Sequence, residues 1–131
     1  MIVQGIVRQH VEEAAALHAR RSLLCHSRRT TLDVLARVDE RLNAHVDGIA
    51  IAGAAVASFC AEALQTSAPG EAAFPAAIAA ILTRDHNALE SLFQMAVDDP
   101  AVRSALISAF GWVEREHLQG LMIGFLRRII H

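Results

Sequence analysis

Residues Gly70–Phe110 read GEAAFPAAIAAILTRDHNALESLFQMAVDDPAVRSALISAF, and this stretch decides the fold. Asp85 precedes one apolar run, and Asp99-Pro100 precedes the next. An aspartate ahead of a helix accepts the orphan backbone N–H groups of its first turn, and a proline is pre-set for the first helical position. Displacing the sequence by 29 residues superposes Ala76, Ile78, Ala80, Leu89 and Leu92 on Ala105, Ile107, Ala109, Leu118 and Leu121. The matches predict two helical hairpins, Glu71–Thr83 with His86–Val97 and Pro100–Phe110 with Glu114–Ile130, with Gly111 as the C′ residue of its helix. A repeat of about thirty residues made of two short helices is the pattern of an α-solenoid. The expected fold class is therefore all-α, with helical hairpins stacked as a short solenoid; a compact helical bundle is the alternative.

Upstream, Thr66-Ser67-Ala68-Pro69-Gly70 reads as a loop. Before it, Ala52–Leu64 carries no charge until Glu62, and a helix apolar all round belongs at the centre of a domain. Leu32, Leu35, Val38, Leu42, Val46 and Ile49 form a helical stripe behind an N-cap at Thr30 or Thr31, with Asp33 in the first turn and Gly48 as a stop or bend. Val3, Val7, His10, Ala14, Leu17 and Leu24 make a stripe on a first helix running to about Cys25, interrupted by Arg21 near its end. The whole reads as one all-helical domain over 1–131: N-terminal helices in 1–66, then hairpins in 71–98 and 100–130.

The composition, 53% hydrophobic and 20% charged, excludes a disordered tail. A net charge of −2 and a pI near 6.4 give no basic face for nucleic acid. Arg20, Arg21, His26, Arg28 and Arg29 are balanced by Glu12, Glu13, Asp33, Asp39 and Glu40. Cys25 and Cys60 make no CxxC pair, and no disulfide is expected between them. The first ten residues lack the apolar core of a signal peptide, and the uncharged run Ile49–Ala61 is too short to span a membrane. A cytoplasmic protein is expected, with no membrane partner.

Chemistry-bearing patterns are sparse. Glu114-x-x-His117 has the spacing that puts a carboxylate and an imidazole on one helix face, as in di-iron bundles. With His86 it defines the alternative of a helical metalloprotein. No second such pair exists, and the helix dipole alone accounts for Glu114. Asp39, Glu40, His45 and Asp47 lie off the i+3/i+4 spacing of one face and read as hydrogen-bonding groups that orient the first hairpin near Gly48. His10 reads as a half-buried, satisfied histidine. There is no G-x-S-x-G elbow and no phosphate loop. The expectation is no enzyme, no catalytic residue, no cofactor and no metal.

Gln9-His10-Val11-Glu12-Glu13-Ala14-Ala15, then Leu35–Gly48 (LARVDERLNAHVDG) and Ile51-Ala52-Gly53, resemble the N-terminal region of a bacterial HEAT-repeat-like family of unknown function. Gly70-Glu71 with Phe74, Ser104-Ala105-Leu106 and Phe110-Gly111-Trp112 fit the same family, so the resemblance covers roughly Gln9–Gly120. Its members are often encoded near type VI secretion genes. The resemblance implies a HEAT-like solenoid and an accessory, adaptor or immunity-type role, and brings no catalytic residues. The chain lacks the family's aromatics around Ala16 and His18 and its later repeats.

The expected function is a non-enzymatic protein–protein interaction module whose partner is a secreted effector or a secretion component, with homo-oligomerisation. The candidate partner-binding residues are Leu121, Met122, Phe125, Leu126, Ile129 and Ile130, an apolar set with no following repeat to cover it. A third reading is an oligomerisation segment of a longer protein.

Overall fold

A computed structural model describes residues 4–66, 69–119 and 121, and among them there is no β-strand. Helix α1 spans Gln4–Cys25, α2 Leu32–Ala52, and a 3₁₀ turn over Gly53–Val56 leads into α3, Ala57–Thr66. Then come α4 (Pro69–Thr83), α5 (His86–Asp98), α6 (Pro100–Trp112) and the short α7 (Arg115–Leu118). The fold is all-α.

The caps form where the sequence places them. Thr31 accepts from the backbone N–H of Val34, Asp85 from Ala88, and Asp99 from Ala101 and Val102. The α4–α5 turn closes by a 6→1 and 5→2 pair, Asp85 N–H to Ala80 O and Arg84 N–H to Ile81 O, with Arg84 at φ 55°. That is the Schellman arrangement, here with arginine in the left-handed position usually taken by glycine.

Helix α4 is the hub. Every residue from Ala72 to Ile81 is buried, and α4 packs against α1, α2, α3, α5, α6 and α7. The central position expected for Ala52–Leu64 thus belongs to the next helix. In the earlier stretch Val56 and Cys60 are buried, but Ala54, Ala55, Ala57, Ser58 and Ala61 face solvent. Pro75 sits inside α4; its missing N–H and ring exclude a regular hydrogen bond to residue 71. The irregularity therefore falls in the second turn, just past the orphan N–H groups of the first four residues.

The two repeat-related helices α4 and α6 lie side by side. Because α1, α2 and α3 also cover α4, helices are packed around one central member, an arrangement consistent with either form of the expected class, stacked hairpins or a bundle. Two helix ends differ from expectation. Gly48 neither stops nor bends α2, which continues to Ala52; a Cβ there would lie 2.5 Å from atoms of the His10 ring. The break falls at Gly53, whose φ of 59° and ψ of −131° suit only a residue without a side chain. Gly111 is not a C′ residue either: α6 runs through it to Trp112, and Val113 is the cap.

On α1 the buried set is Val7, Val11, Ala14, Leu17 and His18. Val11 and His18 thus take places that the stripe assigned to His10 and Leu24, which are only half-buried. On α2, Val38, Leu42, Ile49 and Ala52 are buried, while Leu32 at the entry is 84% exposed.

Candidate functional site: an apolar groove on the α5–α6 edge

The hairpin α5–α6 packs on α4 with one side of each helix. Leu89, Leu92 and Ala96 are buried on α5, and Val102, Ala105, Leu106 and Ala109 on α6. The other side is unusually apolar. Phe93, Val97 and Ile107 are 39%, 71% and 69% exposed. A groove of about 330 Å³ runs between the helices, lined by Phe93, Ala96, Arg103, Leu106, Ile107 and Phe110. The Phe93 and Phe110 rings close one end with centroids 6.0 Å apart.

Arg103 is the charged residue of that lining, and its guanidinium is engaged with backbone. Nε donates to Ala96 O at 3.3 Å and an Nη to Val97 O at 3.2 Å, so the cation holds the end of α5. The repeat explains why this side is open. Ile78 on α4 is completely buried, whereas its counterpart 29 residues later, Ile107 on α6, faces outward. The same pattern is written twice, and its second copy has an uncovered side among the described residues.

A second apolar recess of about 190 Å³ lies between the 3₁₀ turn, α3, α4 and α5, walled largely by alanines together with Cys60, Leu92 and Met95. Burial pushes the Cys60 thiol up to about 12, which makes it a small apolar side chain rather than a nucleophile. Cys25 is exposed, and both cysteines are free.

The polar residues singled out in the sequence serve the α1–α2 hairpin. Arg21 Nε donates to Asp39 Oδ1 at 2.6 Å, and its guanidinium carbon lies 5.2 Å from the centre of the Trp112 ring. The Nδ1 atoms of His10 and His45 are 2.9 Å apart. Asp39 and His45 thus orient the first hairpin, but through α1 rather than through a turn at Gly48; Glu40 and Asp47 are exposed. At the other end of the hairpin Arg8 meets Glu62 on α3 at 2.9 Å and lies over the Phe59 ring at 5.0 Å.

Glu114 and His117 are both exposed on the four-residue α7, with Glu114 as its N-cap residue making no side-chain cap bond. His86 is at the start of α5. Among the described residues no group of three or more His, Cys, Asp or Glu side chains is placed to hold a metal ion.

Of the proposed partner-binding residues, Leu121 is corrected: it is completely buried in the core of its own chain and offers no surface. Arg84 donates to the carbonyl of Gln119 two residues earlier at 3.2 Å, which ties this segment back to the α4–α5 turn. Met122, Phe125, Leu126, Ile129 and Ile130 lie outside the described residues. The groove residues Phe93, Ile107 and Phe110 were missed by sequence reading. Their signal was present: Ile107 falls off the stripe made by Val102, Ala105, Leu106 and Ala109.

The helical stretch Leu32–Thr66 contains an 18-residue window with a mean hydropathy of 1.5, enough by length and composition to cross a membrane, and 22% of that window is buried. The apolar run Ile49–Ala61 is therefore part of a longer apolar stretch than its own length implies. Here it is divided by the break at Gly53, and Val38, Leu42, Ile49, Val56 and Cys60 belong to the core.

No family model, no curated protein and no solved structure matches the chain.

Proposed function

We propose that the chain is a non-enzymatic protein-binding module, and that the α5–α6 groove is its docking surface for a helix of a second copy. One observation carries the reading: Ile107 is exposed at the repeat position where Ile78 is buried. At the first of these positions the isoleucine is buried among helices of this chain, so a helix of a second copy is the natural cover for the second. Phe110 supplies an aromatic anchor of the type that dominates binding energy. The engaged guanidinium of Arg103 leaves the groove floor apolar, which favours an apolar partner face over an acidic peptide.

The metalloprotein alternative has less support. Glu114 and His117 face solvent, and the described residues gather no third donor around them. The resemblance of Gln9–Gly120 to the HEAT-like family found near type VI secretion genes is what connects the module to secretion. On that basis we infer an accessory, adaptor or immunity-type protein whose further partner is a secreted effector or a secretion component.

Light scattering on size-exclusion fractions tests the docking surface. The wild-type chain is expected as a dimer at tens of micromolar, and Ile107→Glu as a monomer with an unchanged melting midpoint, since the side chain contributes little to the core. A wild-type chain that stays monomeric at that concentration, or an Ile107→Glu chain that stays dimeric, overturns it.

A further inference from the structure

We propose that His10 and His45 form a proton-operated latch between α1 and α2, closed while the pair holds at most one extra proton and opened when both rings are charged. This is independent of the docking surface on α5–α6.

The geometry sets the proton count. Two imidazole nitrogens 2.9 Å apart need one hydrogen between them. With both rings neutral, one is the Nδ1–H tautomer and donates to the bare Nδ1 of the other. Adding one proton keeps the contact, because an imidazolium donates to a neutral ring, and charge-assisted hydrogen bonds are the stronger kind. Adding a second proton points two N–H groups at each other and places two like charges at hydrogen-bond distance. The contact then becomes repulsive.

The His10 ring also packs closely on the backbone of α2. His10 lies against Gly48 so closely that a Cβ there would sit 2.5 Å from its Cδ2 and Nε2 and 2.7 Å from Cε1. The ring centroids of the pair are 5.2 Å apart. Glycine at 48, inside a continuous helix where it costs stability, is thereby explained: it lets the His10 ring lie on the α2 backbone and reach His45.

The electrostatic surroundings push in the same direction. Burial first, then His10 and Arg41, hold the His45 ring below the ordinary histidine value, with Glu13 opposing them. Glu13 is on α1 and Arg41 on α2. From α3 the charged group is Glu62, engaged by Arg8. The ionisable residue of α4 is Glu71, at its exposed first turn. Because the folded state disfavours the charged form of His45, the second proton, the one that opens the latch, binds below the ordinary histidine value near 6.5; the contact holds above that value and is lost as pH falls through the depressed one.

The test uses the full chain. Imidazole ¹⁵N and ¹H NMR is followed from pH 7.5 to 5 in the wild type and in His10→Gln. Wild-type His45 is expected to titrate below free histidine, with one Nδ1–H tautomer in the pair at neutral pH. In His10→Gln the proton affinity of His45 should rise about threefold or more, a shift of about half a pH unit. In parallel, the pH dependence of the urea midpoint is compared between the wild type and the double variant His10→Gln/His45→Gln, which should show the flatter profile. A wild-type His45 that titrates like free histidine, an affinity unmoved by His10→Gln, or matching pH profiles overturns the proposal. If the variants do not fold, the wild-type tautomer and titration decide it alone.

Discussion

The ring of His18 on α1 lies flat on the ring of Phe74 on α4, with centroids 4.0 Å apart and planes 1° from parallel. This stack joins the first hairpin to the hub helix, and Phe74 in turn makes an edge-to-face contact with Trp112, ring centroids 6.1 Å apart. His18 is 9% exposed, the one polar or charged side chain in the buried set among the described residues. Burial, reinforced by the Arg21 cation, lowers its pKa to about 4.

That depression makes His18 an acid-labile joint. The folded state binds its proton less readily than the unfolded chain, so the contribution to stability is complete above about pH 6.5 and is lost as pH falls toward 4. With partial solvent access allowed for, the loss amounts to about 2–3 kcal/mol. His18→Leu keeps an apolar contact with Phe74 and removes the titrating group. Urea midpoints should therefore fall less steeply between pH 6.5 and 4.5 in His18→Leu than in the wild type, with the variant the more stable chain at the acid end. Equal slopes would show that the ring is not the titrating joint.

Gly53 and Gly111 should respond to alanine in opposite directions. Gly53 has space around it, since no atom lies within 4 Å of a Cβ built there, but its φ of +59° strains any L side chain. Gly53→Ala should cost about 1–3 kcal/mol and weaken the elbow that turns α2 into α3. Gly111 also has nothing within 4 Å, and it lies inside α6 at ordinary helical angles. Gly111→Ala should stabilise by about 0.5–1 kcal/mol. Chemical denaturation of both variants checks the pair, and the same sign for the two would refute the assignment of strain.

These two glycines also mark how far the sequence could be read. Caps are local chemistry, so Thr31, Asp85 and Asp99-Pro100 were legible, and with them the starts of α2, α5 and α6. Helix ends at glycine were not. A glycine in a helical pattern signals a C′ position, a backbone kink or a close neighbour, and only the fold distinguishes them: Gly111 is none of these, Gly53 is the kink and Gly48 is the close neighbour. The hub was misplaced for a related reason. Ala52–Leu64 and Ala72–Leu82 are both free of charge over long runs, and alanine tolerates water as readily as burial. What separates them is Phe74, Ile78 and Ile81, which need cover on several sides, against Ala54, Ala55, Ala57 and Ala61, which do not. The groove escaped because a 29-residue match equates Ile107 with Ile78, while exposure depends on what packs on each helix. The His10–His45 contact spans 35 residues of chain, and no spacing rule within one helix reports it.

Trp112 is the single tryptophan, and it links three helices at the end of α6. Its indole Nε1–H donates to Asn43 Oδ1 on α2 at 2.8 Å. Its face carries the Arg21 guanidinium of α1, which Asp39 holds in place from α2. It makes an edge-to-face contact with Phe74 on α4. The side chain is only half-buried, so the hydrogen bond rather than burial fixes the orientation of the ring. Asn43→Ala should lower stability by about 1 kcal/mol and shift the fluorescence of the folded chain to longer wavelength as water replaces the amide. Trp112→Phe retains the edge contact and loses both the donor and the larger face. The double-mutant cycle of Asn43→Ala with Trp112→Phe should return a coupling of about 1 kcal/mol. A coupling near zero would mean that the indole and the amide do not hold each other, and that α6 is anchored to the first hairpin by apolar contact alone.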